Sequence, residues 1–120
     1  MTLKECYMNL GGNYNDVIGR LPSERLVQKF LLKFLDDGSF DLLCRSMETE
    51  SQEEAFRAAH TIKGMCQNLS LTPLAESSDL MAEALRGGDM ATAKGLLGRV
   101  SEDYKHTADA IRAFKAELPE

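Results

Sequence analysis

The chain has almost no strand signal: no run alternates β-branched or aromatic residues with polar ones. A sheet is therefore excluded as its organising element. Prolines number only three, and each lies near a break in the apolar pattern. No apolar stretch approaches the ~20 residues that span a bilayer, so no membrane segment is expected. The N-terminus lacks the basic-then-apolar order of a secretory signal, and a cytoplasmic location is the default expectation. A basic surplus is missing as well. Fourteen Lys and Arg face nineteen Asp and Glu, for a net charge of -5, which argues against nucleic acid as a partner because phosphate binding needs a concentrated basic surface. Cys6, Cys44 and Cys66 are odd in number and scattered, with no Cys-x-x-Cys spacing. They read as reduced thiols acting as small apolar side chains, and a zinc site built from one histidine and distant cysteines fits ligand spacing poorly.

What is present is helical periodicity throughout. With 43% hydrophobic and 28% charged residues in 120, the composition is that of an ordinary globular chain, and one domain over residues 1–120 with one modest core is expected. Thr2-Leu3-Lys4-Glu5 has capping-box spacing and opens a helix through about Leu10, ended by Gly11-Gly12. Tyr14, Val17, Ile18 and Leu21 mark a short helical segment. Leu26, Val27, Phe30, Leu31, Phe34 and Leu35 form the wide stripe of a core helix. Asp37-Gly38-Ser39 stops it, with Gly38 expected left-handed and Ser39 as the next cap. Phe40, Leu43, Cys44 and Met47 give a further short helix. Ser51-Gln52-Glu53-Glu54 reads as a second capping box, Thr72-Pro73 starts another helix, and Gly87-Gly88-Asp89 is a break followed by a cap. From about Met90 to Glu117 a three-four spacing along Leu97, Val100, Tyr104, Thr107, Ile111, Phe114 and Leu118 predicts one long helix lying along a bundle.

The helix opened at Ser51 carries the chemistry. At about 100° per residue, Ala55, Ala58, Ile62, Met65, Cys66 and Leu69 share one apolar arc, the expected core face. His60 points roughly opposite, with Glu53, Phe56, Arg57, Lys63, Gly64 and Gln67 within about 60° of it. An imidazole with a free ring nitrogen is a nucleophile near neutral pH. Lys63, one turn on, is either a solvated charge or a partner for a phosphoryl group on the ring. Glycine in mid-helix costs about 1 kcal/mol relative to alanine, so Gly64 suggests a steric reason, namely room for something large to reach the ring. Gln67 either bonds a phosphate or faces water. Phe56 either packs against a neighbouring helix or belongs to an apolar docking rim, and Cys66 is turned away from the ring. A lone surface histidine is ordinarily inert; these neighbours point to one that is phosphorylated and passes the phosphate on. His106, beside Lys105 and off the long helix's seam, has no such cluster and reads as a solvated residue.

The segment Ala58-Ala59-His60-Thr61-Ile62-Lys63-Gly64, continued by Asn68-Leu69-Ser70-Leu71, resembles the histidine-containing phosphotransfer (HPt) domain family. The His-x-x-Lys-Gly signature is complete, and the helical surroundings fit over nearly the whole chain. The resemblance implies an all-α, up-down antiparallel four-helix bundle with additional short N-terminal helices. It implies His60 as phosphoacceptor, Lys63 as its charge partner and Gly64 as the clearance residue, with Gln67 the fourth candidate. The phosphoryl group would shuttle between aspartates of response-regulator receiver domains, with a hybrid sensor kinase as a further partner. No cofactor is implied for this chain, Mg²⁺ being expected on the receiver. Two positions depart from the family. Ser70 stands where members often carry a second glycine, which would alter how the helix ends. Ala82 stands where some members place a glutamine that reaches back to the histidine, so Gln67 or a water is left to orient the ring.

No glycine-rich phosphate loop, nucleotide fingerprint or carboxylate pair accompanies His60, so a phosphocarrier without an ATP site is expected rather than an enzyme. Three other readings stay open: a non-phosphorylated helical adaptor, the phosphoacceptor module of a larger chemotaxis-type kinase, and a general-base enzyme. The start at Met1 and the polar tail favour a stand-alone protein, and a monomer is expected.

Overall fold

Each helix begins or ends where the chain offers its unpaired amides and carbonyls a partner. In the computed structural model, which describes residues 1–119, these helices are α1 (Leu3–Leu10), α2 (Tyr14–Arg20), α3 (Glu24–Asp36), α4 (Ser39–Glu48), α5 (Gln52–Asn68), α6 (Thr72–Arg86) and α7 (Met90–Ala116). Glu120, the last residue of the expected domain, lies outside the described residues. Among those residues there is no strand, and no helix is long and apolar enough to cross a membrane.

Thr2 and Glu5 form the expected capping box of α1: the Glu5 amide donates to Thr2 Oγ1 at 3.1 Å and the Thr2 amide to Glu5 Oε1 at 2.8 Å. Asn13, Ser23 and Asp89 cap α2, α3 and α7 through their side-chain oxygens. Two expected caps are absent. Ser51 precedes α5 but makes no side-chain cap bond. Its hydroxyl lies 2.9 Å from that of Thr49, and its amide donates back to Ser46 at 2.8 Å, because the tight α4–α5 turn passes through Glu50 at φ 54°. Gly38 is not left-handed. It has φ -90° and itself fills the cap position of α4, while Asp37 Oδ1 accepts the Ser39 amide at 2.8 Å. A carboxylate one residue earlier makes the turn that a left-handed glycine was expected to make. Proline stands second in α6, after Thr72, with Leu71 in the cap position.

The architecture is an up-down helical bundle. Helices α5 and α6 form an antiparallel hairpin, α6 packs on α7, and α4 packs on the other flank of α5. The first column is a broken one. Helix α3 packs on α7 and α4 reaches it at Phe40, so that Phe34 and Phe40 both meet the Tyr104 ring, at 5.8 and 4.1 Å between centroids. Helix α7 outruns α5 and α6, and its free half is covered by α1 and α3. Tyr7, Leu10, Val17, Leu31, Leu43, Ile62, Leu71, Leu74, Met81, Leu85 and Ile111 are fully buried in one continuous core. Each such side chain contributes about 1.5–3 kcal/mol.

The short N-terminal helices are tied on by polar contacts as well as by apolar burial. The buried Tyr7 hydroxyl donates to the Leu69 carbonyl at 2.8 Å. His106 is not merely solvated: its Nε2 lies 2.8 Å from the Asn9 carbonyl. A ring N–H there donates to the last turn of α1, which has no basic residue of its own. Gly12 is required by close approach, since a Cβ there would lie 2.8 Å from the Ser70 carbonyl.

Candidate functional site

Helix α5 is flanked on both sides, by α4 and by α6, so its buried surface is wider than one arc. Ala55, Ala58, Ile62, Cys66 and Leu69 are buried as expected. Ala59 is also fully buried, next to His60 in sequence, while Met65 is only partly buried. Sequence periodicity assigned the arc facing one average core; the hairpin with α6 adds a second buried edge, and the small Ala59 side chain lets that helix come close. His60 stays outside, exposed on the solvent face midway along α5.

Phe56 takes the first of the roles considered for it, packing against its neighbours. Partly buried against the core, it also lies under the His60 ring, with centroids 5.6 Å apart and planes 23° from parallel. The Arg86 guanidinium sits 5.5 Å from the Phe56 ring centre, a cation–π contact. Arg86 also pairs with Glu83 at 3.4 Å. The imidazole thus stacks on an aromatic ring that a cation also contacts.

Lys63 is not a freely solvated charge. Its Nζ lies 3.1 Å from Asp79 Oδ1 on α6, and its side chain is only 20% exposed. Gly64 faces open space, with nothing within 4 Å of a Cβ built there. No packing against this chain demands glycine at that position. Gln67 is exposed at the C-terminal end of α5. At about 1.5 Å per residue it lies ~10 Å along the axis from His60, at the margin of the site. Ala82, opposite on α6, is fully buried and carries no donor.

The C-terminal end of α5 is closed by α2. Arg20 Nη1 donates to the Gln67 and Asn68 carbonyls at 3.0 and 2.9 Å and to Ser70 Oγ at 3.0 Å. Its other nitrogen pairs with Asp16 at 3.0 Å, and the Ser70 hydroxyl donates to the same carboxylate oxygen at 2.6 Å. A cation at a helix C-terminus meets the negative end of the dipole. The Ser70 bond first, and then Arg20, holds the Asp16 carboxyl below its ordinary pKa of 3.8. Ser70 has φ 54°, a conformation that suits glycine; serine occupies it with both hydroxyl bonds made. Cys66 is buried just beneath, and burial pushes its thiol far up, while Cys6 is pushed up to about 11. Neither is a nucleophile at neutral pH.

A family model described as the Hpt domain matches residues 25–118. The chain belongs to the Hpt domain family. No curated protein and no solved structure gives a significant match. Hpt domains are histidine phosphotransfer modules of phosphorelays, and phosphocarriers rather than enzymes. The match begins at the second residue of α3 and takes in the rest of the bundle, so it leaves α1 and α2 outside. Those two helices nonetheless close the end of the Hpt helix that carries His60.

Sequence reasoning missed Asp79, Arg86, Asp16 and Arg20. Asp79 and Arg86 were within reach of it. The loop between α5 and α6 is short, and residues equally far from it in an antiparallel hairpin face each other. That register sets Lys63 against Asp79 and Phe56 against Arg86. Asp16 and Arg20 carry no comparable signal, because nothing in their spacing says that α2 folds back onto α5.

Proposed function

We propose that this Hpt domain, acting as one module over residues 1–120, relays a phosphoryl group between aspartates of receiver domains through His60. The observation that carries the reading is His60 exposed on a rigid helix, with the Lys63 ammonium one turn away and open space over Gly64. Neutral His60 presents Nε2 to the phosphorus of a partner's aspartyl phosphate. The N–P bond forms as the acyl P–O bond breaks, and the electron pair leaves on the aspartate oxygen. In-line placement and charge stabilisation are what this transfer needs. Phe56 supports the ring from below, Gly64 leaves the approach clear, and Lys63 offsets part of the charge delivered. The metal ion that serves the acyl phosphate is assigned to the receiver, and no cofactor to this chain. Gln67 is assigned a contact at the rim of the bound receiver. Cytoplasmic receiver domains and a hybrid sensor kinase are the partners proposed, met by a monomeric Hpt protein.

A panel of phosphorylated receivers mixed with wild type, His60→Gln and His106→Gln proteins tests this. Wild type and His106→Gln should acquire acid-labile, alkali-stable phosphate, and His60→Gln none. Label on His60→Gln, or a His60→Gln protein that still supports signalling in full, overturns it; the latter result means that the chain is an adaptor.

A further inference from the structure

The only ion pair of Lys63 among the described residues is the one with Asp79, and Asp79 is paired with nothing else there. The pair bridges α5 and α6, half in solvent: Asp79 is 46% exposed. We propose that Asp79 is a positioning residue for phosphotransfer, holding the Lys63 ammonium beside α6 and setting how tightly the site retains a phosphoryl group. This rests on His60 being the phosphoacceptor.

When Nε2 takes the phosphoryl group and Nδ1 keeps its proton, His60 gains about one net negative charge, concentrated on the phosphoryl oxygens while the ring turns cationic. Two anions then compete for one ammonium. Lys63 lies at helical contact spacing from His60 on the same helix, and the Asp79 carboxylate lies across the hairpin. Turning Lys63 toward the phosphoryl group breaks the Asp79 pair, so gain and loss largely offset. A carrier needs that balance, because a phosphoryl group held by an otherwise unpaired cation would be slow to leave. Removing the Asp79 charge commits Lys63 to the phosphoryl group and shifts the equilibrium toward phosphorylated His60.

The test uses Asp79→Asn, Asp79→Glu, Lys63→Gln and the double variant Asp79→Asn/Lys63→Gln. Each full-length protein is equilibrated with a radiolabelled phosphoreceiver and, separately, labelled with phosphoramidate. Asp79→Asn should raise the equilibrium ratio of phospho-His60 to phosphoreceiver about two- to five-fold, the range of a partly exposed ion pair, and slow the return transfer. Asp79→Glu should stay near wild type. In the Lys63→Gln background, Asp79→Asn should add nothing. An Asp79→Asn ratio equal to wild type, or an equal effect with Lys63 absent, overturns the inference and leaves the relay standing. Wild-type His60 that takes label from neither donor overturns the phosphoacceptor assignment, and this inference with it.

Discussion

In the proposed relay, Gly64 trades helix stability for access to His60. Its backbone is helical and a Cβ there would touch nothing in this chain, so alanine should fit without strain. Gly64→Ala should therefore raise stability by up to about 1 kcal/mol, seen as a higher melting temperature. The same methyl group should slow phosphoryl uptake from a receiver, and Gly64→Gln should slow it further. Labelling by phosphoramidate, a small donor, should change little in either variant. Equal losses with both donors would place the defect in the His60 ring and not in clearance for a protein partner.

At the scale of elements, α2 acts as a clasp on the end of α5. Arg20 and Ser70 share the Asp16 carboxylate, and that carboxyl sits below its ordinary 3.8. A group whose pKa is lower folded than unfolded adds stability that is complete above the unfolded value, and loses it as pH falls through the folded one. The melting-temperature gap between wild type and Asp16→Asn should therefore be constant from pH 7 down to about pH 5 and close below about pH 4. A gap independent of pH would show that the carboxylate charge plays no part in the clasp.

On the scale of the whole molecule, a phosphoryl charge added at His60 would land on the solvent face, outside the core. The fully buried large side chains lie inside the bundle, and the ring's near neighbours Phe56, Lys63 and Arg86 are all at the surface or its edge. Phosphorylation should leave helical content by far-ultraviolet circular dichroism unchanged, on a solvated face where the added charge is screened. Loss of helix on phosphorylation would mean that the clasp or the α5–α6 pairing gives way, and that the fold itself reports the signal.

The sequence by itself determined the helices, their capping at Thr2 and Asp89, the outward direction of His60 and the family. These are local or periodic properties: a cap reads three residues, and a helix face reads every third or fourth. Only the tertiary structure decided what lies across from each element. It turned Lys63 from a free charge into the partner of Asp79, placed Arg86 over Phe56, bonded His106 to α1 and brought α2 onto the end of α5. Ala59 escaped the periodic assignment for the same reason, since a second neighbour buries a second edge. Contacts between residues far apart in the chain depend on loop geometry and packing, which residue spacing along one helix does not encode.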